Sequence, residues 1–343
     1  MPFVHGGAEI LVRQLAGVLI GRGHRVEIVS VPFRDHPKEE LFAGAEAWRQ
    51  LDVTKAAGRE VDLVVATKFP TYFVRHPYKV TWLFHQYRAI YDLCGTVYSE
   101  FDHTEADVRL RDTLIRLDGE ALGESARLFS IARNTAARLA HYNGLAVEPL
   151  YHPPPLAGKL KTGPFGDYVL SVGRLETVKR VDLIIRALAH VDRRVRLIVV
   201  GDGPMRRQLE ETATGAGVAD RVTWAGRVDD GQLVELYAGA LAVVFPPYDE
   251  DYGYVTLEAF LARKPVVTTT DAGGPLEFVE DGLTGSVTEP QPQALGAAIG
   301  HLAADRRLAA SLGDAGYDRA RTITWEGVVE RLVGVPAPIT DDR

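Results

Sequence analysis

Apolar runs and helical patterns alternate regularly through the second half of the chain. Five short apolar runs predict buried strands, at 168–172, 195–200, 221–225, 241–245 and 265–269. Helical patterns lie between these runs and after the last one, at 181–191, 205–215, 230–239, 254–263 and 293–305. Strands that alternate with helices predict a parallel sheet with helices on both faces.

The first half repeats this theme less regularly. It predicts strands at 25–31, 61–66, 79–84 and 127–131, and helices at 8–21, 103–124 and 134–142. The opening residues, Met1 to Glu9, have the pattern of a strand-to-helix turn, but no strand pattern precedes them. The first strand of a doubly wound sheet is central. We therefore expect that this domain lacks its first strand because the numbering begins after it.

Length and turn residues indicate two domains. A chain of 343 residues is long for one hydrophobic core. The proline run after Tyr151, with Gly158 beyond it, is the best candidate for a linker. We predict an N-terminal domain at 1–155, a C-terminal domain at 165–325, and a final helix and tail at 326–343. The fold class is α/β, with two facing doubly wound domains and a cleft beyond the carboxyl ends of their strands.

Composition and charge narrow the function classes. The net charge of −7 disfavours nucleic acid as the main partner. Cys94 is the only cysteine, so an intrachain disulfide is impossible and a reducing compartment is expected. No apolar run approaches the roughly 20 residues that cross a bilayer, and the N-terminus lacks the basic start of a signal peptide. We expect a cytoplasmic protein.

The most informative stretch runs from Asp249 to Ala259, after a buried strand. Glu250 and Glu258 are eight residues apart, so on a helix they span at most roughly 12 Å. That spacing suits two carboxylates at the two ends of an extended ligand. The turn and helix start between them can present amides to an anion, and their residues are Asp251, Tyr252, Gly253, Tyr254 and Val255. A sugar, a diphosphate and a ribose would fit this layout.

The alternative for the two glutamates is an ordinary pair of solvated charges. Glu258 lies among apolar residues and needs a partner, because an unpaired buried carboxylate is costly. A ribose diol would serve, and so would a structural arginine. Asp249 and Asp251 also have the spacing of a metal-binding pair, but such triplets arise often by chance. We expect no metal and no cofactor beyond the donor substrate.

A second motif follows the strand at 168–172. Gly173 ends that strand, and Arg174 and Lys179 lie on the loop before the next helix. Two fixed cations there can neutralise a diphosphate without a metal ion. The alternative is a pair of solvated charges, and Arg180 is expected to be a bystander.

Three glycine loops and one histidine complete the candidates. Gly201-Asp202-Gly203 opens a helix but fails as a dinucleotide fingerprint, because Arg206 stands at the third glycine position. Gly203 could still approach a nucleotide base. The pairs Gly6-Gly7 and Gly273-Gly274 mark loops where the backbone passes close to something, or mere turns. His85, just past a predicted strand, is a packed polar residue or a cleft residue.

Together these motifs resemble the retaining glycosyltransferases of family 4, which have the GT-B fold. The family's E-x7-E motif falls on Glu250 and Glu258, and its diphosphate-binding pair on Arg174 and Lys179. Its Gly-Gly-x-Glu turn matches residues 6–9. The stretch Gly273-Gly274-Pro275-Leu276-Glu277-Phe278-Val279 is similar to the segment after its last core strand.

The resemblance implies sugar transfer from a nucleotide diphosphate sugar with retention of anomeric configuration. Glu250 and the amides from Asp251 to Tyr254 would hold the sugar and β-phosphate, and Glu258 the ribose. The roles implied for the others are contact with the base by the backbone of Arg227 and Val228, with the diphosphate by Gly6 and Gly7, and with the donor sugar by His85. No protein base is implied, since the departing phosphate would take the acceptor's proton. Positioning and charge stabilisation remain for the protein.

The resemblance leaves the substrates open. UDP- or GDP-linked donors and a carbohydrate or lipid-linked acceptor are expected, with at most weak peripheral association at the inner face of a membrane. One rival interpretation is a nucleotide-sugar epimerase on the same scaffold. The others are an NAD-dependent oxidoreductase, which the incomplete glycine fingerprints disfavour, and a non-catalytic protein that kept the fold.

Overall fold

The structure, a computed structural model, describes residues 7–334. It divides into two compact units. The first contains the residues up to His152 together with those from Thr324 onward, and the second runs from Pro153 to Ile323. Among the described residues, no helix has both the length and the apolar character needed to cross a membrane.

The first unit contains a four-stranded parallel sheet. Its strands, in spatial order, are Val64–Lys68, Lys79–His85, Arg127–Ser130 and Glu148–Pro149. A two-stranded antiparallel hairpin, Lys55–Ala56 with Arg59–Glu60, lies outside this sheet. The α-helices are Gly7–Gly21, Glu40–Gln50, Glu105–Gly123, Arg133–Asn143 and Trp325–Val333.

The second unit contains a six-stranded parallel sheet. Its strands, in spatial order, are Gly285–Thr288, Val266–Thr269, Ala242–Val244, Tyr168–Val172, Arg196–Val200 and Val222–Gly226. Its α-helices are Val181–Leu188, Arg206–Gly215, Asp230–Gly239, Tyr254–Leu261, Pro292–Ala304 and Arg306–Ala320. The strand order reverses between Tyr168–Val172 and Ala242–Val244. In sheets of this kind, ligands bind beyond the carboxyl ends of the strands at such a reversal.

The predicted α/β class is confirmed, with parallel sheets in both units. The predicted strand at 25–31 is wrong. This segment pairs with no described strand, and Ile28 and Val29 are about half exposed, at 47% and 45%. A strand needs a neighbouring strand to form the hydrogen bonds of its backbone. An apolar sequence pattern does not show whether such a neighbour is present. The predicted lack of a first strand concerns the chain before Gly7 and lies outside the described residues.

The helix Trp325–Val333 packs within the first unit. The Trp325 ring stacks on His152 at 6.1 Å and meets the edge of Trp82 at 6.3 Å. Its buried side chains are Val328, Val329 and Leu332. Arg127 donates to the carbonyls of the last turn, those of residues 331 and 332, at 2.9 Å each. These bonds satisfy carbonyls that a helix C-terminus leaves without partners.

Candidate active site

The predicted residues of the second unit lie on loops that follow its parallel strands. Gly173 to Arg180 follow the strand Tyr168–Val172, and Pro246 to Gly253 follow Ala242–Val244. The loop containing Gly273 follows Val266–Thr269. Because carboxyl ends of parallel strands meet at one edge of a sheet, these loops are neighbours. The structure therefore places the two main motifs at the position where such sheets bind ligands.

Glu250 is held rigidly against the neighbouring loop. Its amide donates to Ala272 at 2.8 Å, and its carbonyl accepts from the Gly274 amide at 2.6 Å. The preceding residue, Asp249, donates to the Asp271 carbonyl at 2.9 Å and has a positive φ of 44°. Backbone hydrogen bonds on both sides thus fix the main chain at Glu250, from which its side chain extends.

Lys179 and Glu250 form an ion pair with each other. Their side chains are 21% and 22% exposed, so the pair is partly screened from solvent. The two loops are also joined by the Tyr248 amide, which donates to the Val178 carbonyl at 2.8 Å. The structure therefore brings two of the predicted catalytic residues into direct contact. Their pairing joins the Arg…Lys motif to the E-x7-E motif.

The glycine turn begins the helix Tyr254–Leu261. Gly253 has a φ of 83°, and a Cβ there would lie 3.1 Å from both Phe245 and Pro275. The amides of a helix's first turn carry partial positive charge and suit an anion. The helix therefore begins four residues after Glu250, at Tyr254. Contact between its first amides and a diphosphate stays a prediction.

The second glycine pair serves this turn directly. A Cβ on Gly274 would lie 2.7 Å from the Asp251 carbonyl oxygen and 2.8 Å from Cα of Tyr252. The close approach expected at Gly273-Gly274 is therefore an approach to the backbone of the glutamate loop. Tyr252 is 4% exposed and packs edge-on against Phe278 at 5.5 Å. Its ring belongs to the packing beneath the loop.

Glu258 is buried and bonded to a tyrosine. It is 6% exposed, and the fully buried Tyr237 hydroxyl donates to its carboxylate at 2.7 Å. Burial raises the pKa of Glu258 to about 7, although the hydrogen bond from Tyr237 acts in the opposite direction. The donor of this bond is a tyrosine hydroxyl, a partner that the sequence analysis did not anticipate, and contact between Glu258 and a ribose stays a prediction. The carboxyl thus changes charge near neutral pH.

Glycines allow close packing between two loops, the one after Tyr168–Val172 and the one after Arg196–Val200. Gly173 and Gly201 have φ values of 150° and 124°. A Cβ on Gly201 would lie 1.9 Å from the Gly173 carbonyl oxygen, and one on Gly203 would lie 2.6 Å from the Leu175 carbonyl oxygen. This backbone packing explains why small residues stand there. Contact between Gly203 and a nucleotide base stays a prediction.

The remaining candidates are placed as follows. Arg174 is 58% exposed in its side chain and pairs with Glu176 at 2.8 Å. Arg227 is exposed and Val228 half-buried, directly after the strand Val222–Gly226. Their nearness to a base stays a prediction.

His85 and Gly7 belong to the first unit. His85 ends the strand Lys79–His85, and its Nδ1 lies 2.9 Å from the Gln86 carbonyl oxygen. Gly7 is exposed and begins the helix Gly7–Gly21. Glu9, on this helix, pairs with Lys68, and although burial acts to raise its pKa, this pairing lowers it. Gly6 lies outside the described residues.

Sequence reasoning missed two residues of this region. Tyr237 is 21 positions before Glu258 and carries no motif of its own. Arg180 was expected to be a bystander, yet its guanidinium bonds to the loops on both sides. A non-glycine residue with a φ of 48° signals an unusual constraint at that position. That conformation cannot be read from the sequence.

The described residues show no ready-made metal site. Within 7–334, no group of three or more histidine, cysteine, aspartate or glutamate side chains is arranged to hold an ion. Asp249 and Asp251 therefore lack a third protein ligand of these types in this part of the chain. A donor diphosphate could add oxygen ligands of its own.

Comparison with known proteins shows a similarity in sequence to glycosyltransferases. Residues 161–319 match the family described as glycosyl transferases group 1. A D-inositol 3-phosphate glycosyltransferase of Segniliparus rotundus is 26% identical over 96% of this chain and 83% of its own.

Solved structures extend the likeness to the first unit. Sucrose-phosphate synthase from Thermosynechococcus elongatus has a TM-score of 0.77 and 21% identity, covering 95% of this chain and 92% of its own. HepE of Anabaena, solved in complex with UDP and glucose, has a TM-score of 0.69 and 20% identity, covering 96% of each chain.

Residues 161–319 match the glycosyl transferases group 1, and nearly the whole chain is similar to a glycosyltransferase. Its fold is that of the GT-B enzymes. The resemblance predicted from Glu250, Glu258, Arg174 and Lys179 is confirmed at this level.

Proposed function

We propose that the chain transfers a sugar from a nucleoside diphosphate sugar to an acceptor hydroxyl, with retention of anomeric configuration and without a metal ion. The observation that carries this proposal is the contact between Lys179 and Glu250 next to a helix N-terminus. Neighbouring loops thus supply one cation, one carboxylate and the first amides of a helix. That combination matches a sugar attached to a diphosphate.

In the proposed reaction, the acceptor oxygen bonds to the anomeric carbon as the bond from that carbon to the β-phosphate oxygen breaks. The departing phosphate takes the acceptor's proton, so no protein base is needed. Negative charge grows on the phosphate, and Lys179 stabilises it. An ammonium group has three donors, so Lys179 can hold Glu250 and a phosphate oxygen together. Arg174 and the helix amides add positive charge.

Glu250 and Glu258 divide the donor between them. Glu250, fixed by its backbone bonds to Ala272 and Gly274, would accept hydrogen bonds from the sugar hydroxyls. Glu258 would accept from the ribose hydroxyls, which give its buried charge further donors. Tyr237 keeps the Glu258 carboxyl oriented.

The donor base and the acceptor are open to direct test. The HepE structure holds UDP, so UDP is our first choice, with GDP second. For the acceptor we propose a carbohydrate or a lipid-linked carbohydrate. A cytoplasmic location and weak membrane association stay predictions.

The first experiment is a thermal-shift panel of UDP, GDP, ADP, dTDP and NAD with the purified chain. A ligand at 100 times its Kd adds about 2.7 kcal/mol to the free energy of unfolding, a visible change in Tm. We expect one nucleoside diphosphate to raise Tm, and Glu258→Gln to reduce that rise. A rise with NAD alone would favour an oxidoreductase. No rise with any ligand would contradict the proposal.

A second experiment tests the chemistry. The matching donor is incubated with and without acceptor sugars, and the product's anomeric configuration is read by NMR. We expect a retained linkage, and activity that survives EDTA. Isomerised donor formed without acceptor would indicate an epimerase. Activity lost in EDTA and restored by Mg²⁺ or Mn²⁺ would contradict metal independence and would point to Asp249 and Asp251 as metal ligands.

A further inference from the structure

Arg180 has a backbone conformation that calls for an explanation. Its φ and ψ are 48° and 43°, in the left-handed region that non-glycine residues rarely adopt. It stands between Lys179 and the helix Val181–Leu188. A glycine would adopt this conformation without a side-chain penalty. The arginine must therefore supply interactions that hold it there.

The guanidinium of Arg180 makes five hydrogen bonds. Its Nε donates to the Pro246 carbonyl at 2.8 Å, and Nη2 donates to the Pro247 carbonyl at 2.7 Å. Nη2 also donates to Thr269 Oγ1 at 2.9 Å. The two terminal nitrogens hold the Asp271 carboxylate at 2.8 and 2.6 Å. All the nitrogens of a planar fork are thus engaged, which a lysine cannot reproduce.

These acceptors lie at the bases of two loops that form the candidate site. Pro246 and Pro247 begin the loop that carries Glu250, and Asp271 lies near the start of the loop that carries Gly273. The Asp271 carbonyl also accepts from Asp249, at 2.9 Å. Since Arg180 itself follows Lys179, one side chain joins three loops. Its side chain is only 13% exposed, so little solvent competes for these bonds.

Charge agrees with this arrangement. Burial alone would raise the pKa of Asp271, but hydrogen bonds and charge from Arg180 outweigh burial and lower it. The carboxylate is therefore ionised at neutral pH, as its pairing with the Arg180 guanidinium requires.

We propose that Arg180 is a positioning residue that sets the contact between Lys179 and Glu250, and through it the geometry of the sugar diphosphate. This inference rests on the proposed function. Arg180 would not touch the donor. Without its guanidinium the loops would keep their chain path but lose their mutual alignment. Because misplacement matters most in the transition state, kcat should fall more than donor binding.

The test compares Arg180→Lys and Arg180→Gly with Arg207→Lys, a control at a 91% exposed arginine paired with Glu211. We expect kcat for donor turnover to fall about 10- to 100-fold in both Arg180 variants, with a smaller change in KM. The control should match the unmodified protein. Free guanidinium ion, but not an equal concentration of NaCl, should restore part of the activity of Arg180→Gly, because it fills the same acceptors.

Two further variants address the same contacts from the other side. Asp271→Asn and Thr269→Val each remove acceptors of Arg180, so they keep the idea testable if an Arg180 variant folds poorly. The loss in Arg180→Lys combined with Asp271→Asn should be close to that of the worse single variant, since residues of one unit are not additive. Folding is checked by Tm.

The outcomes separate the two proposals. Arg180 variants that keep kcat within about twofold, or losses that multiply fully in the double variant, would overturn the positioning role. A lower Tm with unchanged kcat would show a purely structural residue and would overturn it too. An unmodified protein that turns over no nucleotide sugar would instead contradict the proposed function.

Discussion

The hydroxyl of Tyr237 should control the pH at which the protein binds its nucleotide. It donates at 2.7 Å to the buried carboxyl of Glu258, and it favours the ionised form. Burial holds the pKa of Glu258 at about 7. In Tyr237→Phe this donor is lost while the ring remains. The pKa of Glu258 should therefore rise further.

The size of this rise follows from the energy of the hydrogen bond. A bond to a charged group contributes roughly 1.5–3 kcal/mol, and a tenfold change in an acid's ionisation equilibrium corresponds to about 1.4 kcal/mol. The pKa of Glu258 should then rise from about 7 to about 8 or 9. At pH 7 the ionised fraction of Glu258 falls from about one half to roughly 1–10%. If ribose binds the carboxylate, affinity should fall by roughly 5- to 50-fold at pH 7 and recover at higher pH.

Without ligand, the stability of the folded protein should change with pH in the opposite direction to nucleotide affinity. The pKa of Glu258 is higher in the folded than in the unfolded protein. Its contribution to stability is therefore fully present at low pH and is lost as pH rises through about 7. Nucleotide binding should strengthen over the same range, because the ligand selects the charged form.

Calorimetric titration with the nucleoside diphosphate chosen by the thermal-shift panel, at pH 6 to 9, measures this directly. Tyr78→Phe, at a tyrosine that is 57% exposed, is the matched control. Affinity curves of Tyr237→Phe and the unmodified protein that superimpose would refute the link between Tyr237, Glu258 and ribose. If the affinity curve of Tyr237→Phe were displaced toward lower pH, the predicted rise in the pKa of Glu258 would be refuted.

Three other predictions concern separate features. Lys179→Ala should lower kcat by at least about 10²-fold with little change in Tm, and near-normal turnover would remove Lys179 from the mechanism. Gly274→Ala should lower Tm, because its Cβ would lie 2.7 Å from the Asp251 carbonyl oxygen. Gly300→Ala, in a helix and with nothing within 4 Å, should instead raise the unfolding free energy by about 0.5–1 kcal/mol in denaturant titrations. Burial raises the pKa of Asp118 to about 7, so the unmodified protein should lose stability as pH rises from about 4 to about 7. Asp118→Asn lacks this loss, and its unfolding free energy relative to the unmodified protein should rise by up to about 1.4 kcal/mol for each pH unit. A difference in unfolding free energy that stays constant over this range would contradict the prediction.

The strands of the second unit were predictable because parallel strands buried on both faces are continuous apolar runs. The strand Gly285–Thr288 was missed because it has only four residues and two of them are polar. The helix Arg306–Ala320 was missed as well, because alanine, glycine and charged residues interrupt its apolar pattern. The prediction of a strand at 25–31 was wrong for a different reason. Its pattern suits a strand, but pairing depends on a neighbour that no local pattern encodes.

The candidate site divides in the same way. Spacing and turn residues identified Glu250 and Lys179, because motifs at strand ends are local. The pairing of these two side chains joins positions 71 residues apart. The bonds of Arg180 to Thr269 and Asp271 span 89 and 91 positions. Contacts between such distant positions depend on the folded sheet. The sequence therefore predicted individual residues of the site but not which side chains contact each other.

The membership of the helix Trp325–Val333 in the first unit makes that unit discontinuous in the chain. The second unit is thus a single insertion with both of its ends at the boundary, near Pro153 and Ile323. Exchanging the second unit with that of a relative therefore requires two junctions. A chimera made at one junction would also replace Trp325 and the carbonyls that Arg127 binds, and would damage the core of the half meant to be kept.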